Sequence, residues 1–239
     1  MSKILLIADH HEGALRKSTF QSLTAARQLA SATGGTISIV VAGTGTTALA
    51  GQLTGYGADK IYVIDAPGWE SYLSQPWTDG LKQLVQSQGF DAIVSSAGSQ
   101  GKGLLPRLAA AQGWGMVADC LGVVSEDGAT LYKRPMYAGN IVATVKVNTP
   151  GVVVSARASA FDAAEETGGA SPIEPYAVDV TSHGATYVGF EGVVSERPSL
   201  GEATRVVSGG HPLKDQWFTV MEPLADSIGA ALGASRMAV

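Results

Sequence analysis

The chain has 239 residues, 45% apolar and 15% charged, with 16 Lys and Arg against 21 Asp and Glu and a formal net charge of −5. Scattered cations under a net negative charge argue against a nucleic-acid partner, and the single Cys120 excludes a disulfide framework and fits a reducing compartment. No apolar run reaches membrane-spanning length and no signal-peptide layout precedes "ILLIA", so a soluble, cytoplasmic protein is expected, with apolar surface that a partner covers.

"KILLIAD" (3–9) is a continuous apolar run bounded by charge, the pattern of a strand buried on both faces. Residues 18–34 follow with helical spacing and a glycine stop, and "TISIVVAG" (36–43) reads as a second buried strand. A short helix within 46–60 leads to a third strand, "IYVID" (61–65); a helix around Trp77 to Gln88 leads to "DAIVSSAG" (91–98). "GKGLLPRLAAAQG" (101–113) reads as another helix, with Pro106 in its first turn. This alternation predicts an α/β fold: an open, mostly parallel sheet with helices on both faces, nucleotide-binding-like in architecture.

From Cys120 the pattern changes to successive strands with short turns, Asp127-Gly128 being a hairpin signal. "NIVATVKV" and "GVVVSAR" belong to this run, which predicts a mixed-sheet extension, partly antiparallel. Residues 162–185, rich in Ala, Gly, Glu, Ser and Pro, read in part as loop, with a strand near Tyr187–Val193. The expected organisation is an N-terminal α/β domain at 1–195, a linker at 196–204, and at 205–239 the first part of a second α/β domain: strand, double-glycine turn and amphipathic helix.

Three short motifs invite a chemical reading. "GTGTTA" (43–48) has the Gly-x-Gly-x-x-Ala form of a dinucleotide turn, yet it follows the second strand and lacks a convincing ribose-binding carboxylate, Asp65 ending the next strand. A plain turn is favoured. "SSAGSQGKG" (95–103) is a better anion loop, with Lys102 and free amides where parallel sheets place ligands, although an ordinary glycine-rich βα loop is the favoured reading. "DHHEG" (9–13) suggests metal, but side chains adjacent on an extended segment diverge, so His10 and His11 do not readily chelate one ion. No hydrolytic constellation stands out, and Cys120 has no activating context. No metal site and no catalytic residue are expected.

"GKGLLPRLAAAQGWGMVADCLGV" (101–123), "KRPMYAGN" with "ATVKV" (133–147), "VVSARASAFDAA" (153–164) and the C-terminal "RVVSGGHPLKDQWFTVMEPLADSIGAALGASRMAV" (205–239) occur in this order. Together they resemble the α subunit of electron-transfer flavoproteins, a likeness extending back through "LIADHHEGAL" (6–15) and covering essentially the whole chain.

The resemblance implies an electron carrier rather than an enzyme, moving electrons from flavin dehydrogenases to a quinone reductase or another acceptor. It implies a heterodimer with a β subunit, and FAD held mainly by a C-terminal domain of α. Carried over residue by residue, Ser235 and Arg236 face the flavin and its phosphates, with Gly210 and His211 at the end of the preceding strand. A guanidinium there favours the anionic one-electron form and raises the potential. His211 stands where the family typically has Arg, replacing a permanent cation with a titratable one. The family continues beyond "GASR", so the chain is expected to be a C-terminally truncated fragment whose FAD domain is incomplete and which binds FAD weakly or not at all. Two other readings are a non-redox interaction scaffold and an adenine-nucleotide-binding enzyme of hydrolase-like fold.

Overall fold

Strand β1 (Lys3–Ile7) shows why the first half of the chain is so apolar. Ile4 and Leu6 pack with Leu23, Ala26 and Leu29 of helix α1 (Lys17–Thr33), while Leu5 and Ile7 feed a second core on the opposite face. Alternate residues of a strand point to opposite faces, so a strand covered by helices on both sides has no polar position to spare. The structure, a computed structural model, describes residues 1–179, 184–189, 191, 196–201, 203–213 and 216–238. It divides into two compact units, Met1–Tyr187 and Val188–Val239.

Between β1 and α1 lies a tiny antiparallel hairpin, β2 (His10–His11) and β3 (Ala14–Leu15). Then follow β4 (Thr36–Gly43), the short helix α2 (Thr47–Gly51), β5 (Lys60–Asp65), α3 (Ser74–Gln88), β6 (Ala92–Ser96) and α4 (Ser99–Gln112). Leu81 and Leu84 of α3 and Leu105 and Leu108 of α4 build the second core with Leu5, Val40, Ile64 and Ile93. Pro106 lies inside α4, not in its first turn. It is on the exposed face, where water can satisfy the carbonyl that a proline leaves without its helical donor.

The rest of the first unit comprises β7 (Gly115–Cys120), β8 (Gly122–Glu126), β9 (Ala129–Met136), β10 (Ile141–Val145), β11 (Val152–Ala156) and β12 (Ile173–Pro175). Seven strands form one sheet in the order β12-β5-β4-β1-β6-β11-β7, every neighbouring pair parallel. The expected parallel sheet with helices on both faces is present. The antiparallel part is a separate three-stranded sheet, β10-β9-β8, closed by the Asp127-Gly128 turn. "GVVVSAR" does not belong to it: as β11 it enters the main sheet between β6 and β7. Within 162–185, β12 adds an edge strand beside β5 that the loop reading does not contain. The strand expected near Tyr187–Val193 is not formed at Tyr187–Gly189 or Glu191, and its remaining positions lie outside the described residues.

In the second unit, β13 (Val206–Gly209) and β14 (Ala231–Ala234) pair in parallel. A π-helical turn, Trp217–Met221, continues into helix α5 (Glu222–Ser227) between them. Met221 and Ala225 are buried, so the amphipathic helix and the strand–helix–strand order follow the expectation.

Candidate functional site

The register Val206↔Ala231 through Gly209↔Ala234 brings the chain out of both strands at one end. Gly210 and His211 leave β13 there, and Ser235 and Arg236 leave β14, so all four residues singled out in the sequence meet at a pair of carboxyl strand ends. The Ser235 amide donates to the Gly209 carbonyl at 3.0 Å, and the Leu213 amide donates to the Gly210 carbonyl at 3.1 Å. His211 opens a 3-10 turn, His211–Leu213. Its ring Nδ1 lies 3.0 Å from the Met237 carbonyl. Since a carbonyl only accepts, Nδ1 carries a proton.

Side chains pack closely on this strand end: a Cβ on Gly209 would lie 2.1 Å from Leu213 Cδ1, and the leucine side chain would have to shift to admit it. A Cβ on Gly210 would meet Pro212 Cδ at 3.6 Å and Ser235 Oγ at 3.8 Å, contacts of ordinary length that place the Ser235 hydroxyl beside the double glycine. Arg236 is exposed and forms no hydrogen bond or ion pair among the described residues. A hydroxyl, two basic side chains and backbone amides at the carboxyl ends of parallel strands suit an anionic or phosphate-bearing ligand. On the far side of the unit, Arg197 grips Asp226 through two bonds of 2.6 and 3.0 Å.

The first unit has its own strand-end crevice, between β1 and β6, where the strand order reverses and open sheets hold ligands. Here it is filled by Asp9, which is 9% exposed. Ser18 Oγ and Ser96 Oγ donate to Asp9 Oδ2 at 2.7 and 2.8 Å, and Asp9 N donates to Thr19 Oγ1 at 2.7 Å. The cavity left between Asp9, Ser95, Ser96 and Gln100 is about 10 Å³, room for one water rather than a nucleotide. A carboxylate thus occupies the anion position at the heads of α1 and α4. In the sequence Asp9 merely precedes the histidines of "DHHEG"; its partners Ser18 and Ser96 come to it only in the fold.

The other motifs resolve into structure. In "GTGTTA" the Gly45 amide donates to Asp65 Oδ1 at 3.0 Å, so the loop's donor is met by the chain's own carboxylate. His10 Nε2 lies 2.7 Å from the Ala42 carbonyl, to which it donates. No group of three His, Cys, Asp or Glu fit to hold a metal occurs among the described residues. Cys120 is fully buried, and burial pushes its thiol up to about 11, leaving no thiolate at neutral pH. At the end of β7, Asp119 has a left-handed φ of 59° and receives a bidentate Arg157 guanidinium, with Nε to Oδ1 at 2.9 Å. That pair was not singled out; Arg157 appears only inside a family motif.

The electron transfer flavoprotein domain profile matches residues 4–181. Electron transfer flavoprotein subunit alpha of Pseudomonas aeruginosa is 34% identical over 238 residues, 99% of this chain and 74% of that protein. The subunit alpha proteins of Bradyrhizobium diazoefficiens and Mycobacterium leprae are 37% and 36% identical, with 98% and 100% of this chain and 73% and 74% of theirs covered. The chain belongs to the electron transfer flavoprotein family. As an α-subunit member it is an electron carrier rather than an enzyme, and neither the scaffold nor the nucleotide-enzyme reading gains support. No helix among the described residues is long and apolar enough to cross a membrane. The flavoprotein family profile falls within the first unit; the likeness to the relatives extends through the strand-end site of the second.

Proposed function

We propose that this chain is the α subunit of a heterodimeric, cytoplasmic electron-transfer flavoprotein, and that the β13–β14 strand ends are part of its FAD site. The observation that carries the reading is the convergence of Gly210–His211 with Ser235–Arg236, brought to one edge by the parallel register. The residues fit the group. Ser235 supplies a hydroxyl beside Gly210, and Arg236 supplies an exposed cation that makes no ion pair among the described residues.

FAD, when bound, supplies reversible one- and two-electron chemistry. The chain's own contribution is positioning and electrostatics. Arg236 favours negative charge developing on an adjacent ring, and its planar guanidinium cannot lose its proton. His211 is tied to Met237 through Nδ1, leaving Nε2 as the ring atom available to a ligand. The partner is an electron-transfer flavoprotein β subunit; the donors are flavin dehydrogenases, and the acceptor is a quinone oxidoreductase or an equivalent.

The test is a visible spectrum of the complete protein co-purified with its β subunit. One FAD per heterodimer, bleached by dithionite and restored by air, is expected. A colourless heterodimer that takes up no added FAD would remove the reading.

A further inference from the structure

The amino ends of β1, β6 and β11 lie side by side in the main sheet, entered through Ser2, Asp91 and Gly151. Beside them stand the Asp127-Gly128 turn of the β8–β9 hairpin and the stretch after β10, which begins at Lys146. Together they line an open pocket of about 440 Å³, a size that suits a small molecule. It lies at the opposite end of the sheet from the crevice that Asp9 fills.

Tyr132 of β9 lines this pocket although it is only 4% exposed. It packs in the core with Cys120 and Val123, and its hydroxyl makes no hydrogen bond among the described residues. Buried polar groups are nearly always paired, so a phenol left open at the wall of a pocket points to an absent acceptor. Burial pushes the phenol up to about 12, so it keeps its proton at neutral pH and can donate it. Asp91 is half used. Ser2 Oγ and the Lys3 amide both donate to Oδ1, the amide at 3.1 Å, and Oδ2 receives no donor among the described residues. Asp127 and Lys146 are exposed, and their side chains make no ion pair or hydrogen bond among the described residues.

Charge narrows the ligand. Asp127 and Gly128 both have left-handed φ, 49° and 76°, and such turns take Asn-Gly as readily as Asp-Gly. The turn explains a small polar residue at 127 but not its charge. The pocket holds two carboxylates and one ammonium, so a phosphate dianion would meet more repulsion than attraction. No third carboxylate, His or Cys among the described residues joins them to hold a metal ion. What fits is a small molecule with one carboxylate and two cationic groups.

We infer that this pocket binds a free basic amino acid, whose carboxylate meets Lys146 and the Tyr132 hydroxyl and whose cations meet Asp91 Oδ2 and Asp127. The charge-assisted bonds give orientation as well as affinity. Every residue involved belongs to the first unit, so the site stands or falls independently of the flavin reading.

The experiment is isothermal titration of the complete protein with L-arginine, with agmatine, which lacks the carboxylate, and with L-glutamate. L-arginine should bind saturably, one per chain, and more tightly than either of the others. Tyr132→Phe removes an unpaired hydroxyl, so its thermal midpoint should be no lower than that of the wild type while L-arginine binds about tenfold more weakly. Asp127→Asn keeps the turn and should weaken binding, and Lys146→Gln should erase the preference for L-arginine over agmatine. Should the phenylalanine variant misfold, these two exposed positions decide alone. Absence of saturable L-arginine binding at millimolar concentration would overturn the proposal, as would binding that the folded variants leave unchanged.

Discussion

His211 and Met237, 26 residues apart, are joined by a hydrogen bond of 3.0 Å from the imidazole Nδ1 to a backbone carbonyl. The bond ties the loop after β13 to the turn after β14, at the edge where the flavin site is proposed. It parallels the backbone bond from Ser235 to Gly209, so the two strand ends are held both by main chain and by a side chain.

His211→Ala should therefore loosen this edge. A net hydrogen bond contributes about 1 kcal/mol, which corresponds to roughly fivefold faster exchange of the Ser235 amide if that amide exchanges through local opening. Both the Nδ1–H tautomer and the imidazolium donate, so the difference between wild type and variant should appear at pH 6 and at pH 8. Equal protection in the two proteins would show that the tie does not hold the strand ends.

Asp119 and Arg157 make a prediction about pH. The Arg157 guanidinium holds the Asp119 carboxyl below its ordinary value, partly opposed by burial. Because the folded value lies below the unfolded one, the pair stabilises fully above the ordinary carboxyl range near pH 4, and the contribution disappears as pH falls through the lowered value. The side chains are 33% and 41% exposed, so screening limits it to about 1 kcal/mol or less. Asp119→Asn tolerates the left-handed backbone and should cost that amount in urea unfolding at pH 7 but almost nothing at pH 2. Asp119→Ala adds backbone strain of roughly 1 kcal/mol at either pH. A penalty for Asn that is the same at both pH values would mean the charge is not what the site uses.

Asp9 should behave as an internal anion rather than as a ligand group. Asp9→Ala leaves the Ser18 and Ser96 hydroxyls without their acceptor and should cost about 2–3 kcal/mol. AMP or ATP at millimolar concentration should not raise the thermal midpoint of the wild type. A rise of several degrees would mean that the crevice between β1 and β6 opens to admit a nucleotide.

The strands best read from sequence are those whose residues are buried on both sides, β1, β4, β5 and β6, because double burial removes polar positions and leaves an unbroken apolar run. β7 escaped because Asp119 and a register shift opposite Val154–Ala156 interrupt it. β11 is visible as a strand, but its place between β6 and β7 is not. Its partners β6 and β7 are distant in sequence, and antiparallel neighbours come immediately before it. β12, "Ile-Glu-Pro", carries no pattern at all; it is an edge strand, the one place in a sheet where proline is tolerated. The strand ends of the second unit were legible because the double glycine after β13 and "GASR" after β14 are local signals that also carry the family likeness. The Asp9 plug was not, since its meaning lies in hydroxyls 9 and 87 residues away.

The central claim, that the strand ends at Gly210 and Ser235 form part of a flavin site tuned by Arg236, is tested most directly by a potentiometric titration. The complete protein with its β subunit would be compared with Arg236→Ala and Arg236→Lys. Loss of the cation should lower the flavin midpoint potential and weaken FAD binding at least tenfold, with lysine restoring only part of each because a point charge does not reproduce the planar fork. An Arg236→Ala protein with wild-type potential and wild-type FAD affinity would contradict the account.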